Sequence, residues 1–87
     1  MTERTVQVTL EDGLEAGIIA QLVQRACKYD SSIYLKTGTV KVNAKSIMGM
    51  MNMGVKKGGE VTVIGEGTDE AEAVKELADY IESQEAH

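Results

Sequence analysis

Three places in the sequence carry side chains whose type and spacing could do chemistry. The first is Ser46, which stands directly before Ile47-Met48-Gly49-Met50-Met51-Asn52-Met53-Gly54. A serine at that point can cap a helix, its oxygen accepting from a backbone N–H two or three residues on, a contact worth about 1 kcal/mol. The same hydroxyl is a phosphorylation acceptor, because a phosphate at a helix N-terminus meets unpaired N–H groups and the positive end of the macrodipole. Such a mark would leave the helix folded and change the charge beside it, with Lys45 close in sequence. The second place is the turn Asp12-Gly13-Leu14-Glu15-Ala16-Gly17-Ile18. A helix that follows a glycine turn can take an anion. Here Glu15 already sets a carboxylate there, no cation lies nearby, and Gly13 with Gly17 does not make a phosphate loop. The third is Cys27, near the end of a helix and beside its apolar stripe, which reads as a small core residue rather than a nucleophile.

The segment after Ser46 has a second peculiarity. Five of the seven residues from Ile47 to Met53 are large and apolar. A surface helix of one and a half turns can bury only one side. Spacing sends Met50 and Met53 inward and leaves Ile47, Met48 and Met51 outside. Exposed methionines make an adaptable docking surface; the competing reading is a helix covered by neighbouring loops.

The elements that must position these residues follow from the hydrophobic pattern. Val6, Val8 and Leu10 alternate with polar residues over Thr5–Leu10, the period of a half-buried strand. Glu11-Asp12-Gly13 supplies a turn, and Ile19, Leu22, Val23 and Ala26 form the stripe of a helix from Ala16 to about Lys28, with Ile18 off the stripe and facing water. Ile33 and Leu35, then Val40 and Val42, flank Thr37-Gly38-Thr39 as a hairpin. After the short helix, which Gly54 should stop, Lys56-Lys57-Gly58-Gly59 turns the chain into a fourth strand, Val61–Ile64. Asp69 with Glu72 is an Asp-led capping box for a last helix. Its stripe is Ala71, Val74, Leu77, Ala78 and Ile81, and it ends near Ser83. Glu66, Glu70, Glu72, Glu76, Asp79, Glu82 and Glu85 would form a solvated face along it. The order βαββαβα predicts an α+β domain: one four-stranded antiparallel sheet with three helices on one face. The other face, carrying Thr5, Gln7, Thr9, Lys41 and Thr62, would meet water.

Composition narrows the functions. Eighty-seven residues allow one domain, residues 1–87, and no second core. An apolar fraction of 43% with 26% charged residues suits a folded soluble chain, and 3% aromatics require an aliphatic core. The only histidine is His87 and the only cysteine Cys27, so the body of the domain offers no internal disulfide, no His/Cys metal cluster and no Ser-His or Cys-His pair. A net charge of −5 argues against nucleic acid as a direct partner. Tyr29, Tyr34 and Tyr80 are too scattered to stack bases. No apolar run reaches the roughly 20 residues of a membrane span, and Met1-Thr2-Glu3-Arg4 has no signal-peptide pattern. The expected setting is the cytoplasm, with no metal, no cofactor and no membrane.

Beyond these patterns, Val42-Asn43-Ala44-Lys45-Ser46-Ile47-Met48-Gly49-Met50-Met51 resembles the regulatory-serine segment of the HPr family, small phosphocarrier proteins of the sugar phosphotransferase system. The resemblance extends through Gly13-Leu14, Leu22-Val23-Gln24, Lys28-Tyr29 and Gly59-Glu60-Val61-Thr62-Val63, and so over nearly the whole chain. It implies an open-faced β-sandwich. Carrier members of the family have a histidine, an alanine, an arginine and a proline where this chain reads Glu15-Ala16-Gly17-Ile18. Their histidine takes phosphate from enzyme I and passes it to sugar-specific proteins. A carboxylate lacks the imidazole nitrogen that forms the transferable phosphoramidate. Gly17 lacks the guanidinium fork that would hold the phosphoryl group. The resemblance therefore implies an interaction module, not a phosphocarrier and not an enzyme.

Within the family the pattern is similar to that of Crh, the catabolite-repression HPr of bacilli, shared through Val63-Ile64, Asp69-Glu70, Glu72-Ala73 and Ala78-Asp79-Tyr80. It implies that Ser46 is phosphorylated from ATP by HPr kinase/phosphorylase docking on Ile47, Met48 and Met51, with Ala20 and Lys45 on the same partner surface. The phosphoserine form would then serve a catabolite control repressor as corepressor. Crh keeps the arginine, which helps that contact, whereas this chain has Gly17. Crh-like proteins can also exchange the first strand between subunits, which would give a homodimer. Three other readings stand beside this one. Glu15 could accept phosphate as a labile acyl phosphate, or hold a fixed charge of about −1 against about −1.5 to −2 for a phosphate. Otherwise the chain is a diverged, constitutive binding module.

Overall fold

The structure is a computed structural model, and it describes residues 1–8, 16–53 and 59–83. Four strands, β1 (Thr2–Gln7), β2 (Ser32–Thr37), β3 (Val40–Asn43) and β4 (Glu60–Glu66), form one antiparallel sheet in the order β1-β4-β2-β3. Three helices, α1 (Ala16–Ala26), α2 (Ile47–Met51) and α3 (Glu70–Ser83), supply the second layer. Alternate strand residues Val6, Ile33, Leu35, Val61 and Val63 join Ile19 and Leu22 of α1, Met50 of α2, and Val74, Leu77 and Ile81 of α3 in one buried cluster. The opposite sheet face carries Thr5, Gln7, Lys41 and Thr62, as the alternation predicts, and the Thr5 and Thr62 hydroxyls meet at 2.8 Å across β1 and β4. The predicted α+β architecture is the one observed.

The hairpin turns on Gly38-Thr39, with Thr37 paired to Val40. β1 begins at Thr2 rather than at Thr5, and pairs with β4 from Thr2–Gly65 to Gln7–Glu60. Its early half escaped the hydrophobic pattern because its helix-side positions are polar. Arg4 donates to Asp79 at 2.9 Å and also to Glu82, and Thr2 donates to Glu70 at 2.6 Å, so both tie the edge strand to α3. An inward-pointing charge is one way a sheet edge is kept from pairing with other chains.

Three side chains are placed differently from expectation, the first being Ala71, which is exposed at the start of α3 while Ala73 takes the core position. Ile18 is buried, not exposed. It lies four residues before Leu22 and so sits above it on the same helix face. Cys27 is exposed, not a core residue. α1 ends at Ala26, which takes the core position, and the chain leaves the helix at Cys27. The expectations for Thr9, Leu10, Glu11-Asp12-Gly13, Glu15, Gly54, Lys56-Lys57-Gly58 and Glu85 lie outside the described residues.

The start of α3 also departs from the predicted capping box. The Asp69 carbonyl accepts the first helical bond from Ala73, at 3.0 Å. Its carboxylate crosses to the α1–β2 junction, accepting from the N–H groups of Asp30 and Ser31, each at 2.9 Å, and from the Ser31 hydroxyl. The Ser31 oxygen accepts in return from the Asp69 N–H at 3.2 Å. The back-reaching half of a box is made two residues earlier, where Glu70 accepts from the Gly67 N–H at 3.2 Å. The Ser31 hydroxyl holds the Asp69 carboxyl below its ordinary range, helped by the two N–H donors. Gly67 lies at φ +150°, and a Cβ there would come within 2.5 Å of Ser31 Oγ and 2.7 Å of its Cα.

The other α3 acids are not a plain solvated face either. Glu76 accepts from the Tyr29 hydroxyl at 2.5 Å, from Lys28 Nζ at 2.9 Å and from Arg25 Nη1 at 3.1 Å. Arg25 lies over the Tyr80 ring at 4.2 Å. The Tyr29 hydrogen bond is the chief reason the Glu76 carboxyl falls to about 2, and Lys28 and Arg25 add to it. That same bond pushes the Tyr29 hydroxyl up to about 12. Glu70 falls to about 2, chiefly through the Thr2 hydroxyl.

These shifts fix how stability varies with pH. Folding lowers the two glutamates from 4.5, so the unfolded chain binds more protons below that value. Their contribution is complete above about pH 4.5 and is lost as pH falls towards 2. Tyr29 contributes fully below pH 10 and loses its contribution as pH rises through about 12. Urea midpoints measured against pH should fall on both flanks, and Glu76→Gln should flatten both. A second test separates two glycines. Gly67→Ala should cost about 2 kcal/mol, because it must unmake the Ser31 approach at a strained φ. Gly17 lies in the first turn of α1 with open space around its missing Cβ. Gly17→Ala should therefore stabilise the fold by about 0.5–1 kcal/mol.

Candidate functional site

Ser46 follows β3 at the point where the chain leaves the sheet edge. The Ser46 N–H donates to the Asn43 carbonyl at 3.0 Å, and the Lys45 N–H donates to the Asn43 side-chain oxygen at 2.8 Å. This tight corner turns α2 back towards α1. Ser46 sits at the N-cap with extended backbone, φ −109° and ψ 110°. Its hydroxyl oxygen accepts from the Gly49 N–H at 3.3 Å, and its carbonyl accepts from the Met50 N–H at 3.0 Å. The cap expected from sequence is present, and the Ser46 side chain stays exposed.

α2 is five residues long, shorter than the segment to Met53, with Asn52 as its C-cap. Met50 and Met53 point inward, at 0% and 6% exposure. Ile47, Met48 and Met51 face water at 49%, 76% and 51%. The division read from spacing is the one observed, and the alternative of a helix covered by loops is not. Met50 anchors the helix in the common core, so the outer apolar face is presented on a fixed support.

Lys45 does not stand free beside Ser46. Its Nζ donates to the Tyr29 carbonyl at 2.7 Å, just past the end of α1. Tyr29 is in turn bonded to Glu76 of α3. Lys45 therefore fastens the β3–α2 corner to the α1–α3 layer. On α1, Ala16 and Gly17 are exposed and Ala20 is half-buried, while Glu15 lies outside the described residues. The structure thus places Ser46, Ile47, Met48 and Met51 together on α2, and Gly17 and Ala20 on the helix against which α2 packs. Among the described residues, no cluster of three or more His, Cys, Asp or Glu side chains is arranged to hold a metal ion. No helix among them is long and apolar enough to cross a membrane.

The Lys45–Tyr29 and Tyr29–Glu76 contacts were not read from the sequence. They join residues 16 and 47 positions apart, and no local pattern signals them. Lys36 and Lys41 were also passed over as partners. They stand at equal distances from the centre of the Gly38-Thr39 turn, so a two-residue hairpin brings them opposite each other.

This arrangement of a four-stranded open sheet, three helices and a capped, methionine-rich second helix defines a known class. The family model described as the PTS HPr component phosphorylation site matches residues 2–83. The chain belongs to the PTS-HPr family. It is 44% identical over 84 residues to the HPr-like protein Crh of Bacillus subtilis (strain 168), covering 97% of this chain and 99% of that one. A crystal structure of HPr from Thermoanaerobacter tengcongensis superposes with a TM-score of 0.92 at 45% identity, covering 100% of this chain and 98% of that one. A crystal structure of Bacillus subtilis Crh, described as an intertwined dimer with a swapping domain, gives 0.76 at 44% identity and 95% coverage of each chain.

The inner and outer faces of α2 can be separated by substitution. Met50→Ala should destabilise the protein by about 2–5 kcal/mol, as a buried methionine lost from a close-packed core does. Met48→Ala should stay within about 0.5 kcal/mol of the wild type. Urea unfolding of the two variants checks both.

Proposed function

We propose that this chain is a regulatory HPr-type protein of the phosphotransferase system and carbon catabolite control, switched by ATP-dependent phosphorylation of Ser46. The observation that carries the reading is the exposed Ser46 hydroxyl at the head of a helix whose outer face is Ile47, Met48 and Met51. A kinase of the HPr kinase/phosphorylase type would seat on those three apolar side chains, with Ala20 and Lys45 at the margin. The γ-phosphoryl group of ATP would pass to Ser46 Oγ, ADP would leave, and the hydroxyl proton would go to a base of the kinase.

No phosphocarrier step belongs to this reading. The only histidine is His87, at the end of the sequence. Position 17 has open space and no guanidinium. The protein would act as one HPr-like domain over residues 1–87, in the cytoplasm, without cofactor or metal. The likeness to Crh adds a catabolite control repressor as the target of the phosphoserine form, and a strand-exchanged homodimer as one oligomeric state. Lys45 is held by the Tyr29 carbonyl, so a partner that reads the phosphate would bring cations of its own.

Intact mass before and after incubation with HPr kinase/phosphorylase and ATP tests the reading. One phosphate should appear on the wild type and none on Ser46→Ala. Met48→Asp should keep its melting temperature and be phosphorylated far more slowly. An unmodified wild type would reduce Ser46 to a helix cap and remove the proposal.

A further inference from the structure

Seven lysines and arginines lie among the described residues. Five of them are bonded to oxygen atoms of the protein: Arg4 to Asp79 and Glu82, Arg25 and Lys28 to Glu76, Lys75 to Asp79, and Lys45 to the Tyr29 carbonyl. The remaining two, Lys36 and Lys41, are both exposed and lie directly opposite each other on β2 and β3. Like charges in that position repel and weaken the strand pair. Lys41 Nζ rests over the Tyr34 ring at 4.5 Å. Among the described residues neither lysine has an anion, in a chain whose net charge is −5.

The backbone beside them is open too. β3 is the edge of the sheet. The Ala44 N–H donates to the Ile33 carbonyl at 2.8 Å, so residues 40, 42 and 44 turn their main-chain groups towards β2. The alternation leaves the N–H and C=O of Lys41 pointing away from the sheet. On the helix side of this edge, Val40 is 44% exposed. An added strand would therefore meet main-chain groups at Lys41, two ammonium groups on one face and an apolar side chain on the other.

We propose that the outer edge of β3 accepts an extended segment of a partner protein as a fifth strand. Acidic and apolar residues alternate along that segment. Its carboxylates lie over Lys41 and Lys36, and its apolar side chains pack beside Val40. Nucleic acid fits this edge poorly. Two free cations give little counterion release, and the Tyr34 ring is covered by Lys41, which leaves no platform for a base. The edge is a different surface from the α2 face, and the proposal does not depend on the phosphorylation of Ser46.

The test uses a fluorescent peptide of alternating glutamate and valine, with a lysine–valine peptide and an oligothymidylate as controls. The acidic peptide should bind the wild-type protein, bind about tenfold more weakly to the Lys36→Gln/Lys41→Gln variant, and lose affinity as salt rises. The Lys41 amide should gain protection from hydrogen exchange on binding. The double variant should melt no lower than the wild type, because the substitutions relieve a repulsion on an exposed face. No binding, equal binding of either control, or an unprotected Lys41 amide would overturn the proposal. So would self-association of the double variant without acidic-peptide binding by the wild type, which would make the two lysines guards of the edge alone.

Discussion

The contact on which the layers depend is the one between Asp69 and the α1–β2 junction. Asp69 closes the turn between β4 and α3, and its carboxylate is occupied by the main chain at Asp30 and Ser31. One side chain thereby sets where α3 begins, where β2 begins and how far apart they lie. Gly67 is required because Ser31 fills the space a side chain would need. Gly65 yields in the same way to Val74, whose Cγ2 would lie 2.8 Å from an added Cβ. With α3 seated so closely, its carboxylates reach both neighbours: Glu70, Asp79 and Glu82 hold β1, and Glu76 holds the end of α1. Surface ion pairs of this kind are each worth little. Their arrangement matters more, since they reach from α3 to an edge strand and to a helix end that the core alone would leave free to shift.

That framework explains how so short a helix as α2 can present an apolar face. Five residues have almost no helical stability of their own. α2 exists because Ser46 caps it, Met50 anchors it in the core, and Lys45 fastens its entry to Tyr29. The side chains left over, Ile47, Met48 and Met51, are exposed for a geometric reason. A single turn and a half cannot turn all of them inward. Burying them against a partner would recover roughly 25 cal/mol per Å² of apolar surface removed from water. The exposure is therefore a standing tendency to associate, held in place by a rigid support.

Much of this was legible in the residues, and the failures have definite physical origins. Periodicity placed the hairpin around Gly38, four of the core residues of α3 (Val74, Leu77, Ala78 and Ile81, though Ala73 and not Ala71 completes the buried face), and the inward and outward faces of α2, because in each case burial follows directly from spacing. Ile18 was misplaced because a stripe drawn from Ile19 omitted its neighbour across the helix face, four residues before Leu22. Cys27 reads as core only when the helix is carried on to Lys28, two residues past its end at Ala26. β1 was begun late because Thr2 and Arg4 point inward to carboxylates rather than into oil. The Asp69 carboxylate was assigned to its own helix, where a local rule would put it, and a tertiary partner took it instead. Local chemistry was thus readable, while polar contacts between distant segments were not.

The same distinction bears on how the molecule can be used by others. The α2 face is apolar and anchored from within; a partner gains by covering carbon, and a phosphate on Ser46 would change the charge at its rim. The β3 edge has opposite properties, with outward main-chain groups at Lys41 and two ammonium groups that have no anion among the described residues, beside one half-exposed valine. Salt should weaken attraction at the second surface strongly and at the first hardly at all, since screening acts on exposed charges and not on apolar burial. The two surfaces meet at the corner from Asn43 to Ser46, whose hydrogen bonds to Asn43 hold α2 and the sheet edge in one frame. A ligand that displaced this corner would disturb both surfaces. One that covered only the outer methionines, or only the edge of β3, would leave the other as it stands.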